Sequence, residues 1–285
     1  MSFSAEWLAL REPVDHASRN GTLADDVTAH FAGRNPLRVV DLGCGTGSNL
    51  RASVRRLPVL QDWLLVDYDP ALLAAARQSL RSWATTARED GGTLVIAKAG
   101  RIIRVSFRQA DLTADLERVL DERPDLVTAS ALFDLTSAPF MQRFARAVAA
   151  AGAAFYTVLT YDGRDAFAPP HPLDSAVIDA FGAHQRGDKG FGPAAGPDSA
   201  AALAEAFRSA GYRVAEADSP WRIDDRHPAL AGQLLDGIAA AVAETGRIDA
   251  AGLATWLAFR QQHRRDPDGL IVTGHRDTFA VPATA

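Results

Sequence analysis

The chain has 285 residues and carries 30 Lys+Arg against 35 Asp+Glu, a formal net charge of −5. That balance argues against a general nucleic-acid binder, which needs a basic surface to neutralise phosphates. Apolar residues at 47% and charged residues at 23% are the ordinary mix of a globular protein with a core, and the single cysteine, Cys44, excludes a disulfide scaffold and a thiolate metal cluster.

Only Lys98 and Lys189 are lysines, and 55 residues are alanine, as in the coding of a GC-rich bacterial genome. Abundant arginine is therefore weak evidence of anion recognition, and the two lysines are the unusual residues. Met1–Glu6 has neither a basic n-region nor an apolar h-region. The longest uncharged stretch, Ala147–Tyr161, is too short to span a bilayer and is broken by Gly152. The expectation is a soluble cytoplasmic protein with no membrane contact.

In chain order, a mostly polar helical segment over 5–32 precedes Leu37–Asp41, a β-branched run ending in a glycine loop, as a buried parallel strand should. A helix is expected over 47–57, a strand at Trp63–Asp67, and a helix from the Asp69-Pro70 cap to about Arg81. Thr93–Ala97 and Ile102–Phe107 suggest a hairpin. Asp125–Ser130 and Ala153–Tyr161 read as buried strands around a helix at about 138–151. Residues 163–197, rich in Gly, Pro and Asp, read as an extended loop with a short helix near 174–183. A helix at 199–210, a strand at Tyr212–Ala217, helices at 228–244 and 249–264, and a final strand within 269–282 complete the chain. This alternation predicts an α/β, doubly wound, mostly parallel sheet with ligands at the carboxyl ends of its strands. The chain divides into an N-terminal helical cap (1–36), a cofactor-binding core (37–162), and substrate-side helical insertions that complete the sheet (163–285).

The sharpest motif is Val39-Val40-Asp41-Leu42-Gly43-Cys44-Gly45-Thr46-Gly47. Alternate glycines after an apolar strand let the backbone turn sharply and approach a ligand. A dinucleotide fingerprint spaces its glycines G-x-G-x-x-G; here the third glycine comes one position early. Asp41 before the loop would oppose a pyrophosphate and suit an ammonium or sulfonium, which favours S-adenosylmethionine over NAD. Asp67 ends the second strand, where a carboxylate accepts both ribose hydroxyls. Asp111 follows the third strand, where an adenine amino group could donate, although alone it also suits a helix cap.

These residues make the sequence similar to the class I, Rossmann-like S-adenosylmethionine-dependent methyltransferases, over about Val39 to Leu135. The resemblance implies a seven-stranded sheet and a set of cofactor contacts. Gly43, Cys44 and Gly45 would line the methionine and ribose, Asp67 would hold the ribose, and Tyr68 would pack on the adenine. Asp111, beside Leu112, would bind the adenine amino group. Ser130 falls where a backbone carbonyl usually meets the methionine ammonium. The Asn/Asp-Pro-Pro-Tyr/Phe signature of base and glutamine methylation is absent, Thr128–Ala131 standing in its place, and no cysteine serves cytosine C5 chemistry. Both departures point to a small-molecule acceptor.

Other candidates are less specific. Arg19, with Arg11 in reserve, could take the cofactor carboxylate from an N-terminal helix or simply face solvent. Asp134, His16 and Tyr161 are candidate bases, needed only for an amine or hydroxyl acceptor. His275 reads as a core or edge residue. His184–Pro193, with Lys189, Phe191 and three glycines, reads as a mobile surface loop or as a closure over an anionic or polar acceptor. Two rivals stay open: a non-catalytic S-adenosylmethionine sensor or scaffold, and an NAD-dependent oxidoreductase. The sequence sets no oligomeric state.

Overall fold

The computed structural model describes residues 3–283; Met1 and Ser2 of the N-terminal segment, and the last two residues of the chain, lie outside it. Helix α1 (Ala5–Ser18) starts where the Ser4 side chain accepts the Trp7 N–H, and α2 (Gly21–His30) where Asn20 accepts the Leu23 N–H. Strand β1 (Leu37–Leu42) leads through the glycine loop into α3 (Ser48–Ser53), which tightens into a 3-10 turn at Val54–Arg56. Next come β2 (Leu60–Asp67) and α4 (Pro70–Trp83), with Asp69 capping and proline at the first turn. Strands β3 (Thr86–Asp90), β4 (Thr93–Lys98) and β5 (Arg101–Gln109) form a meander before α5 (Leu112–Leu120), β6 (Leu126–Ser130), α6 (Ala138–Ala151) and β7 (Ala154–Tyr161).

The C-terminal part runs β8 (Ala166–Ala168), α7 (Asp174–Gln185), α8 (Ser199–Ser209), β9 (Tyr212–Asp218), β10 (Trp221–Ile223), α9 (Pro228–Thr245), α10 (Ala250–His263), β11 (Leu270–Thr273) and β12 (His275–Pro282). Among the described residues, no helix is long and apolar enough to cross a membrane.

The main sheet has the order β3-β4-β5-β2-β1-β6-β7-β12-β9. Strands β5, β2, β1, β6 and β7 are parallel, and β12 runs antiparallel between β7 and β9. The doubly wound sheet is as expected, but it has nine strands and not seven. The additional strands are β3 and β4, the hairpin having gained an outer partner. Every residue of β3 is exposed, so it carries no apolar alternation, and backbone pairing with β4 holds it. The end of the chain also differs from expectation: β11 joins a separate antiparallel sheet of order β10-β11-β8, and only β12 enters the main one. Strands of three residues, such as β8 and β10, are too short to show a period.

Both faces of the parallel strands are buried. Val40 and Leu42 pack with Leu116, Phe144 and Phe207 of α5, α6 and α8. Val39, on the other face, packs with Leu23 and Val27 of α2 and with Leu73 and Leu80 of α4. The strand order reverses at β1, with β2 on one side and β6 on the other, so the sheet opens a crevice at their carboxyl ends.

Candidate active site

A cavity of about 430 Å³ occupies that crevice, walled by the glycine loop, the ends of β2, β5 and β6, helix α1 and the turn around Lys189. Gly43, Gly45 and Gly47 all have left-handed backbones (φ 61°, 52° and 78°). Space restricts two of them further. A Cβ on Gly43 would stand 3.2 Å from Leu132 Cδ1, and one on Gly45 would stand 3.0 Å from Leu8 Cδ1. The loop is pinned from below by the Cys44 N–H donating to the Val66 carbonyl at 3.0 Å. Arg51 pins it from the side, donating to the Thr46 carbonyl at 2.7 Å and pairing with Glu12 of α1.

Asp67 lines the cavity at the end of β2. Its Oδ2 accepts the Gly45 N–H at 2.8 Å and its Oδ1 the Asp69 N–H at 3.0 Å, while burial pushes its pKa up. Each carboxylate oxygen has a second lone pair, so the group can take two further hydrogen bonds. Tyr68, 70% exposed, stands beside it on the same wall. Asp111 combines both sequence readings: its Oδ1 caps α5, accepting from the Thr113 N–H and hydroxyl, and it lines the cavity with Leu112. Ser130 ends β6 on the cavity, followed by Ala131, a non-glycine residue with φ 51° whose N–H donates to the Val158 carbonyl. That left-handed residue turns the chain so that Leu132 lies against Gly43.

Other residues singled out in the sequence lie elsewhere. Asp41 is fully buried, one layer below the cavity. It accepts from Asn49 Nδ2 at 2.7 Å, and burial pushes its pKa up to about 7 against the opposing effects of that bond and of the Arg19 charge. Asn49 also donates to Thr128 Oγ1, lines the cavity, and keeps a buried Oδ1 with no partner. Arg19 is off the cavity: α1 ends at Ser18, and the Arg19 side chain reaches Ser53 Oγ beside a second cavity of about 250 Å³. Arg11, the reserve candidate, is on the main cavity, bidentate to Asp15 at 2.8 and 3.1 Å and stacked 4.7 Å over Trp221.

The three candidate bases do not line the main cavity. His16 bonds Ser48 and lines the second cavity, its pKa lowered first by burial and then by Arg19. Tyr161 donates its hydroxyl to Asp165, and burial raises its pKa beyond the ordinary phenol range. Asp134 is half-buried in the 3-10 turn Phe133–Leu135, its Oδ1 buried without a partner and its pKa pushed up to about 6 by desolvation. His275 is a core residue of β12, packed 5.2 Å from Trp221, and burial lowers its pKa to about 3. Sequence reasoning missed Asn49, Leu8, Leu132 and Leu135. The alternate glycines were a signal that something must approach Gly43 and Gly45, but not which side chain.

Residues 39–152 match the family model described as a methyltransferase domain. The chain is similar to a methyltransferase from Thiobacillus denitrificans in complex with S-adenosyl-L-homocysteine, at 16% identity over 100% of both chains with a TM-score of 0.47. It is similar to another such complex from Geobacter sulfurreducens, at 14% identity over 99% of this chain and 100% of that one, TM-score 0.46. A third similar structure is the cyclopropane synthase MmaA2 of Mycobacterium tuberculosis, at 12% identity over 98% and 94% of the chains, TM-score 0.49. No curated protein matches. Through residues 39–152, the chain carries a methyltransferase domain.

Proposed function

We propose that the chain is a class I S-adenosylmethionine-dependent methyltransferase and that it acts on a small-molecule acceptor. The observation that carries the reading is the cavity's apolar lining: Phe3, Leu8, Leu132, Leu135 and Phe191 join the glycine loop around its roughly 430 Å³, with α1 and the 189–191 turn among its walls. Such an enclosure suits a compact acceptor better than a polymer segment, and the net charge of −5 gives no general attraction for nucleic acid.

The residues present fit the cofactor. Asp67 has acceptor capacity for the two ribose hydroxyls after bonding Gly45 and Asp69. Gly43 and Gly45 are half-buried and line the cavity with backbone alone, and a Cβ on either would crowd Leu132 or Leu8. On this reading Tyr68, Leu112 and Asp111 hold the adenine, while Gly43, Cys44, Ser130 and Asn49 Oδ1 receive the methionine part. Asp41 then acts through Asn49, as a positioning residue. Arg11 takes the carboxylate role in place of Arg19, sharing its guanidinium with Asp15. Bound S-adenosylmethionine supplies a methyl group on a sulfonium for in-line displacement by the acceptor. The chain's part is alignment and exclusion of water, through Leu8, Leu132 and Phe191.

The test is incubation with methyl-labelled S-adenosylmethionine and a cell extract split into ultrafiltrate and retentate. Label entering ultrafiltrate compounds is expected, with loss of transfer in Asp67→Ala. Label confined to protein or RNA in the retentate would overturn the small-molecule reading.

A further inference from the structure

The turn after α7 is more tightly built than a mobile loop requires. Asp188 Oδ1 accepts the N–H groups of Gly190 and Gly192, at 2.7 and 3.1 Å, and Asp188 and Pro193 form an antiparallel bridge. The Ala195 N–H donates to the Thr136 carbonyl at 2.9 Å, and the Phe191 ring meets Phe140 of α6 edge-on at 4.8 Å. These ties hold Lys189, Gly190 and Phe191 against the cavity.

Charge is distributed unevenly along that cavity. Asp67, Asp69 and Asp111 line it from the ends of β2 and β5. At the α1 side, Arg11 and Asp15 neutralise each other through two hydrogen bonds. Lys189 is half-buried, and among the described residues no carboxylate lies within 4.0 Å of its ammonium. The other lysine, Lys98, donates to the Trp83 carbonyl and lies over that ring, so it shows what a lysine in this chain does with an internal partner. A partly desolvated ammonium beside Phe191 favours an anion that replaces lost hydration. One ammonium matches one negative charge; a phosphate dianion would call for further donors or a guanidinium fork.

We infer that the cavity's end under the 184–193 turn recognises an acceptor bearing a carboxylate on an apolar, ring-sized body. Lys189 is its counter-charge, and Phe191, with Leu135 and Phe3, is its packing surface. This specificity rests on the small-molecule reading above and deepens it.

The experiment titrates the full chain, saturated with S-adenosylhomocysteine, with 2-naphthoate, with the uncharged 2-naphthamide and with phenyl phosphate. The acid is expected to bind saturably, about tenfold or more tighter than the amide, the scale of a charge-assisted contact. Lys189→Gln brings the acid down to the amide's affinity, Lys189→Arg restores most of the difference, and Phe191→Leu weakens both probes. S-adenosylhomocysteine affinity changes less than about twofold in Lys189→Gln, as expected of sites without a shared contact. Equal binding of acid and amide, a preference that survives Lys189→Gln, tighter binding of phenyl phosphate, or no binding of either naphthyl probe each overturns the inference. Failure of wild type to bind S-adenosylhomocysteine in the first step overturns the cofactor reading instead, so the two failures are distinct.

Discussion

Asn49 donates its side-chain amide to Asp41 Oδ1 at 2.7 Å, and no cation pairs directly with that carboxylate among the described residues. A fully buried carboxylate held by a neutral donor keeps its charge at a cost, and burial pushes its pKa from the ordinary 3.8 to about 7. Because the folded pKa lies above the unfolded one, the associated stability is complete below pH 3.8 and is lost as pH rises to about 7. Asp41→Asn removes this dependence. Comparing urea denaturation of variant and wild type between pH 5 and 8, the difference should move in the variant's favour by about 2–3 kcal/mol. A difference independent of pH would mean that Asp41 is ionised in the folded state throughout.

Ala131 carries a left-handed backbone (φ 51°) at the end of β6, a conformation unfavourable for a residue with a Cβ and worse for a β-branched one. Ala131→Gly is expected to be neutral or to stabilise by up to about 1 kcal/mol, and Ala131→Val to destabilise by about 2 kcal/mol or more. Urea midpoints at constant m-value are the readout. A harmless valine would show that the turn is not fixed as described.

Gly45 and Leu8 make a paired test of the loop's closeness to α1. A Cβ at Gly45 would meet Leu8 Cδ1 at 3.0 Å on a backbone already at φ 52°. Gly45→Ala should cost about 1–3 kcal/mol. Leu8→Ala removes the steric partner, so the double variant should lose less than the sum of the two single losses. Strict additivity would leave backbone strain as the whole effect.

The parts legible in the sequence were those where backbone conformation itself dictates residue type. Alternate glycines, strand-end acids and the Asp69-Pro70 cap each answer a local demand, and each stands where the local pattern put it. The illegible parts come from packing between distant segments. Leu8 of α1 meets Gly45 of the loop, and the Arg51–Glu12 pair ties α1 to α3 beside it. The sequence favoured Arg19 over Arg11 on one N-terminal helix, but α1 stops at Ser18, and Arg19, as its C-terminal cap with ψ 138°, leaves for the second cavity. Strand β3 escaped notice because Thr86–Asp90 is wholly exposed and polar.

Asp67 ties the proposed ribose contact to the loop's own geometry, since the same carboxylate accepts the Gly45 and Asp69 N–H groups. Asp67→Ala loses both roles, and S-adenosylhomocysteine affinity should fall about 10- to 100-fold. Asp67→Asn separates charge from shape. An amide has one oxygen for the two backbone donors and turns its own N–H₂ towards the other, so it should lose nearly as much affinity as alanine. Calorimetric titration measures the loss, and thermal melting in the absence of ligand tests whether the fold survives. Full affinity in a folded Asp67→Asn would remove Asp67 from the cofactor site and leave it a role in the loop alone.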